Sequence, residues 1–235
     1  MHSEWSYDGS WSLAALSARF SQRGYRVLMM TEHDMGFDAV RFDEYKKACA
    51  RASSDKILVV PGIEYSDDAN RVHVLTWGPV PFLGEGRPTL ETLEAVNAAR
   101  GFAVLAHPSR KNAWECFTPQ WSGKFLGIEV WNRKYDGWAP SETAPALLSQ
   151  EDTIPFVGLD FHTQRQSFPL AMALDIQAKV TEDTVLDCLQ ARRCAAYAFG
   201  TPLGRNIFRK ALPVMRMAEQ SRKTAARLAR KAGVL

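Results

Sequence analysis

Eight short apolar runs, separated by segments of a different period, constrain this fold more than any other feature of the chain. They are Arg26–Met30, Ile57–Glu64, Val72–Trp77, Phe102–Ala106, Gly127–Trp131, Pro155–Asp160, Leu170–Ile176 and Cys194–Phe199. Each is close to continuously apolar instead of alternating, as expected of strands covered on both faces. Helical patterns lie between them. Leu13, Leu16 and Phe20 share a helix face, with Gly24 as a stop; Leu90, Leu93 and Val96 share another, closed by Gly101. Thr181 reads as an N-cap before Glu182 and Asp183, with Val185, Leu186 and Leu189 on the apolar side. Alternation of strand and helix predicts a parallel sheet, and 235 residues suit a closed or distorted barrel.

Composition narrows the partners. No apolar run approaches the ~20 residues of a membrane span, and Trp, Asp and Glu interrupt the first residues, so no secretory signal is read there. Cys49, Cys116, Cys188 and Cys194 are scattered with no C-x-x-C pair, which predicts reduced thiols and a cytoplasmic protein. The net charge of +3 is uneven: Arg205–Leu235 holds nine Lys/Arg and one acid, so +8, leaving −5 for the rest. A body at 1–204 and a basic helical tail at 205–235 are the predicted units. The acidic body suits cations; the tail suits nucleic acid or an anionic surface, or is a solvated terminal helix. Its helix is expected after Pro213, with Val214, Met217, Ala218 and Ser221 facing inward.

All five histidines merit attention. His33, His73, His107 and His162 fall in or just after predicted strands, and His2 begins the chain. One histidine beside a strand is ordinarily a satisfied core residue. Four at strand ends, with Glu64 closing one strand and Asp160 two residues before His162, make a stronger pattern, because barrel chemistry gathers at the carboxyl ends of strands. Residues i and i+2 of a strand share a face, so Asp160 and His162 can aim at one centre. Imidazole plus carboxylate without thiolate suits Zn²⁺, Mn²⁺ or Fe²⁺ in a hydrolytic site.

The ordered motifs resemble the PHP (polymerase and histidinol phosphatase) family of metal-dependent phosphoesterases. They are HSEWSYDG at the start, Thr31-Glu32-His33-Asp34, Pro61-Gly62-Ile63-Glu64 followed by His73, Ala106-His107-Pro108, and Gly158-Leu159-Asp160-Phe161-His162. The resemblance implies a distorted (β/α)7 barrel and two to three divalent ions. By motif position one ion would take His2, Glu64 and Asp160, a second Asp8, His33 and His162, and a third Glu64, His73 and His107. The family opens with H-x-H; its first histidine would precede Met1, and the strand that carries it is not seen. The expectation is therefore a barrel lacking its first strand, with a natural start some residues upstream.

The implied activity is hydrolysis of a phosphoester, a small phosphomonoester or a nucleotide, by a hydroxide held between ions. Asp160, His162 and His33 are the expected catalytic groups. Arg110 and Arg165, each just beyond a motif, are placed to meet phosphate, as is Lys111, and Trp5, between His2 and Asp8, to line the pocket. Two rival readings stay open: another metallohydrolase such as an amidohydrolase, which would want a strand-end lysine that is not apparent in the sequence, and a non-catalytic PHP-like module. Neither oligomeric state nor substrate is legible.

Overall fold

The computed structural model describes residues 1–149 and 152–231; the last four residues of the predicted basic tail lie outside them. The predicted runs form strands β1 (Val27–Met29), β3 (Leu58–Val60), β4 (Gly62–Ser66), β5 (His73–Trp77), β6 (Phe102–Leu105), β7 (Gly127–Asn132), β8 (Ile154–Gly158), β9 (Leu170–Leu174) and β10 (Cys194–Ala198). Two short strands were not anticipated, β2 (Glu32–His33) and β11 (Thr201–Pro202).

The main sheet runs β2-β4-β5-β6-β7-β8. The separate pair β1–β3 prolongs it: Val27 pairs with Leu58 and Glu32 with Ile63 at the same offset, both parallel, joined by Met30 N–H donating to Val60 O. The sheet is mixed, which corrects the expectation of uniformly parallel strands. β5 is antiparallel to both β4 and β6. The link from β4 to β5 is a short turn, where Asp67 N–H meets Val72 O, and is too short for a parallel crossover. β9, β10 and β11 form a separate antiparallel sheet.

Among the described residues the strands close no hydrogen-bonded ring. Where β1 and β8 face each other, only residues 1 and 2 bridge their ends: His2 N–H donates to Phe161 O, and Thr31 N–H to Met1 O. Below that bridge lies an apolar cavity of about 140 Å³, lined by Val27 to Met29, by Phe156 and Val157, and by Leu170, Met172 and Leu174. The alternate residues of β9 face it, as the two-residue period of a strand requires.

Helices cover the outer faces. α1 (Leu13–Ser21) is capped by the Ser12 hydroxyl, which accepts from Ala15 N–H, and buries Leu16 and Phe20. Each such side chain contributes about 1.5–3 kcal/mol by leaving water. α3 (Thr89–Ala98) and α5 (Glu182–Gln190) lie where predicted, and Thr181 caps α5 through Thr184 N–H. α2 (Ala39–Ala52) was missed, although Asp38 caps it and Phe42, Tyr45 and Cys49 make its buried face. α4 (Ala144–Leu148) is short.

The terminal helix, α6, spans Asn206–Lys231 and runs through Pro213 instead of starting after it. Its predicted inner face is wrong. Val214 and Met217 are 68% and 67% exposed, and Ala218 and Ser221 are exposed too. The face turned to the body carries Met215, Glu219, Arg222 and Ala226. Glu219 decides the rotation: its carboxylate accepts from Trp138 N–H at 3.1 Å and from Arg222 at 2.6 and 2.7 Å. The four cysteines are free, and no helix among the described residues is long and apolar enough to cross a membrane.

Candidate metal centre

The eight His, Asp and Glu residues expected to hold ions converge on one end of the main sheet. Their donor atoms fall into three groups, each within 4.8 Å: His2, Asp8, His33 and His162; Glu64, His73 and His107; and His2, Glu64 and Asp160. All but Asp8 are buried.

The motif glycines and turns explain how the chain delivers them. A Cβ on Gly62 would come within 2.5 Å of Thr76 O and of the Trp77 indole, so only glycine lets β4 lie against β5 and present Glu64. Likewise a Cβ on Gly158 would sit 1.9 Å from Glu129 Oε1. His107 (φ 25°) and Asp160 (φ 47°) adopt the left-handed region, which turns each chain sharply as it leaves β6 and β8. Such backbone costs of order 1–3 kcal/mol per residue and persists only where surroundings impose it.

The opening segment is held by Glu32, which is fully buried. Its carboxylate accepts from Ser3 N–H (2.9 and 3.1 Å), Ser3 Oγ–H (2.6 Å) and Ser6 Oγ–H (2.5 Å). Ser6 Oγ in turn accepts from His33 N–H at 3.0 Å. Since the Ser6 proton goes to Glu32, the contact with His2 Nδ1 at 3.3 Å assigns that ring's proton to Nδ1. His2 Nε2 is then a bare lone pair, 3.1 Å from Glu64 Oε2 and 3.3 Å from Asp160 Oδ1.

The same logic repeats. His162 Nδ1–H donates to Asp160 O at 2.9 Å, leaving Nε2 3.0 Å from Asp8 Oδ2. His73 Nε2–H donates to Asn70 Oδ1 at 2.7 Å, leaving Nδ1 against Glu64 Oε1. His107 Nε2 lies 3.1 Å from that same oxygen, and its Nδ1 has no hydrogen-bond partner; nor has His33 Nε2, which lies 3.5 Å from Asp8 Oδ1. A bare nitrogen aimed at a carboxylate oxygen repels it unless a cation, proton or metal ion, lies between. Outer N–H tied down and inner nitrogen bare is the arrangement of a metal-ligating imidazole. The donor set therefore fits divalent ions.

Electrostatics agree. Burial would raise the Glu64 carboxyl, but His73, His107 and His2 around it hold it well below the ordinary range. Burial is likewise outweighed at Asp160 by His2 and at Asp8 by His162 and His33, so both are lowered. His73 is lowered, chiefly by burial, which favours its neutral form, whereas at His107 burial is outweighed by the carboxylates of Glu64 and Asp160, which raise it, so that ring attracts a cation or holds a proton. At Glu129 burial wins: it pushes the carboxyl up to about 7 against the pull of the His107 ring and the hydrogen bonds from Asn132 Nδ2 and His107 N–H. Asp34 lines the cleft outside the three donor groups, is raised by burial, and accepts from Ser66 and Gly86 N–H.

The cleft above these groups has a volume of about 420 Å³ and is lined by Tyr7, Asp8, His33, Glu64, His73, Asp160 and others. Of the four residues expected at the substrate, Arg110 lines it. Its guanidinium is fixed by Asn70 O and Oδ1 at 2.8 Å each and by the Tyr135 hydroxyl at 3.0 Å. Lys111 Nζ donates to the same Asn70 carbonyl. Arg165 does not line the cleft; it is exposed on the turn Gln164–Gln166. Trp5 does not either, because its ring packs on Tyr45 at 5.5 Å and Phe37 at 6.3 Å, and Tyr7 stacks on His33 instead.

Sequence reasoning missed Lys134. It stands two residues beyond β7, with Nζ 3.5 Å from Asp160 Oδ1 and 3.2 Å from His162 Nε2. The sequence did carry a signal, a lysine just past an apolar strand run. This corrects the reading that no strand-end lysine exists.

No family model and no curated protein matches the chain. Several solved structures do. One is a two-domain protein from Bacteroides vulgatus described as containing a predicted PHP-like metal-dependent phosphoesterase, at 18% identity and a TM-score of 0.66, covering 90% of this chain and 67% of that one. PsfC from Pseudomonas syringae matches at 17% identity and 0.57, covering 89% and 88%. The lesion-specific endonuclease PfuEndoQ from Pyrococcus furiosus matches at 16% and 0.52, covering 81% of this chain and 54% of that one. The chain shares the fold of PHP-like metal-dependent phosphoesterases, the family its ordered motifs resemble.

Proposed function

We propose that the protein is a metal-dependent phosphoester hydrolase whose substrate is a phosphorylated small molecule or a nucleotide unit. The observation that carries this reading is the set of bare imidazole nitrogens aimed at shared carboxylates in one cleft. In this reading His2, Glu64 and Asp160 hold one divalent ion, Asp8, His33 and His162 a second, and Glu64, His73 and His107 a third; Zn²⁺, Mn²⁺ and Fe²⁺ all suit these donors. Bound there, such ions lower the pKa of water and neutralise phosphate charge.

The chain's own groups do the rest. Arg110, with all three guanidinium nitrogens tied to Asn70 and Tyr135, keeps one N–H on each of Nη1 and Nη2 for a phosphate oxygen. Lys134 adds a mobile point charge beside Asp160. Asp160, His162 and His33 are assigned the catalytic positions. Ser6 and Glu32 orient His2 and His33 without touching substrate.

Metal analysis of the purified chain together with hydrolysis of p-nitrophenyl phosphate and its bis-ester tests the reading. It requires two to three ions per chain and turnover that Glu64→Gln abolishes; a metal-loaded protein hydrolysing neither ester refutes it. Lys134 favours a second reading, a metallohydrolase of another class in which a strand-end lysine helps hold the ions. Lys134→Met separates the two: loss of an ion supports the second, a raised KM with full metal content the first.

A further inference from the structure

Three depressions follow one another from the metal centre to the end of α6. Arg110 and Tyr135 line both the cleft and a second depression of about 610 Å³. Its far wall is one face of α6, formed by Arg216, Glu219, Gln220 and Lys223. Lys223 also lines a third depression of about 460 Å³, with Arg227, Arg230 and Lys231. Positions 216, 220, 223, 227 and 230 recur at three- and four-residue steps, so they form one straight row along the helix.

This row is cationic, and its outer half is unopposed among the described residues. Beyond Glu219 α6 has no acid up to Lys231, and Glu219 itself is engaged by Trp138 N–H and Arg222. Arg216 lies 3.4 Å from the exposed Glu142, and Lys223 3.5 Å from Glu219; among the described residues no acid pairs with Arg227, Arg230 or Lys231. From Arg216 to Arg230 the row extends ~21 Å, the reach of several consecutive phosphates. At its inner end Lys111 and Arg110 carry the row to the mouth of the cleft, where Lys134 stands above a floor of carboxylates that includes Asp8, Glu64 and Asp160.

We propose that this groove is the phosphate track of a single-stranded nucleic acid, whose terminal phosphoester enters the cleft while α6 holds the nucleotides that flank it. The proposal rests on the phosphoesterase reading and names its substrate class. One row of cations matches one backbone, and the exposed Trp138, whose ring Arg222 approaches on one side, offers aromatic surface for a base near it. A bilayer fits less well. The exposed large apolar residues of α6, Ile207, Val214, Met217 and Leu228, lie about 100° or more around the axis from the row, so inserting them turns the cations away from the lipid.

The test is fluorescence anisotropy of a labelled oligothymidylate of about fifteen residues with the full chain in EDTA, so that binding is read without turnover. The triple variants K223E/R227E/R230E and K223Q/R227Q/R230Q are compared with R23E/K47E/K56E, which carries the same charge reversals on exposed sites elsewhere. Circular dichroism verifies that each is folded. The expected result is at least tenfold weaker binding for the α6 reversal, an intermediate loss for the Gln variant, and a change within about twofold for the control. The log–log salt slope of the reversal should be shallower by about 2, at roughly 0.7 per lost contact.

Equal losses in the two reversal variants, or unchanged binding in the α6 variants, overturn the track. So does binding to vesicles of phosphatidylcholine with phosphatidylglycerol when the oligonucleotide is not bound. If the oligonucleotide binds through α6 but the metal-loaded protein hydrolyses no phosphoester, the track stands and the hydrolase reading falls. If p-nitrophenyl phosphate is hydrolysed while the α6 variants bind like wild type, the reverse holds.

Discussion

Glu32→Gln tests whether the opening segment is positioned by its buried carboxylate. Glu32 is fully buried and receives three donor groups, Ser3 N–H, Ser3 Oγ–H and Ser6 Oγ–H. Ser6 Oγ is not free to reverse, because it already accepts from His33 N–H and His2 Nδ1–H, and Ser3 N–H, which meets both carboxylate oxygens, can only donate. A glutamine keeps the size but replaces one oxygen with an NH₂ that meets donors. A hydrogen bond to a charged group is worth about 1.5–3 kcal/mol, and an unpaired buried group costs about 1–3. Losing one such bond and stranding one donor sums to roughly 3–5 kcal/mol, or a fall in Tm of roughly 10 °C for a domain of this size. The damage is also local. His2 and Asp8 ride on this segment, whereas Glu64, His73 and His107 do not, so metal content should fall by one to two ions and not to zero. Differential scanning calorimetry and metal analysis of the dialysed protein measure both. Full metal content with an unchanged Tm would show that Glu32 does not hold the segment.

Other perturbations probe separate parts of the molecule. Gly158→Ala drives a Cβ into Glu129 and should cost about 2–4 kcal/mol by overpacking and disturbed hydrogen bonds to His107 and Asn132, read by urea denaturation. Arg110→Ala should raise KM for p-nitrophenyl phosphate about tenfold or more with a smaller change in kcat; an unchanged KM removes Arg110 from the substrate. Glu219 links α6 to the Trp138 loop. Although burial opposes it, Arg222 and the Trp138 N–H hold its carboxyl below the ordinary value. A depressed acid stabilises above its unfolded pKa and loses that contribution as pH falls through the folded value. The Tm gap between wild type and Glu219→Gln should therefore be full at pH 7 and shrink below about pH 4; a gap that is constant with pH refutes the ion pair.

Much of the site was legible because strand-end motifs are local. Thr31-Glu32-His33-Asp34, Pro61-Gly62-Ile63-Glu64 and Gly158-Leu159-Asp160-Phe161-His162 each place a ligand-type side chain where an apolar run stops, and strands of one sheet end together. The motif glycines are readable too, since each marks a close approach that a Cβ forbids. Arg165 and Trp5 were misplaced because adjacency in sequence says nothing of which way a loop turns. Lys134 was overlooked because its partners, Asp160 and His162, are 26 and 28 residues away.

The sequence by itself determined most of the strands, helices α1, α3 and α5, and the residue types gathered at the site, because periodicity and residue chemistry act over a few neighbours. Only the tertiary structure decided that the sheet is mixed, that Lys134 reaches Asp160 and His162, and that α6 turns Glu219 inward and its cations along the groove. Those outcomes depend on which hydrogen bonds and buried charges find partners across long stretches of chain, a competition that no single segment encodes.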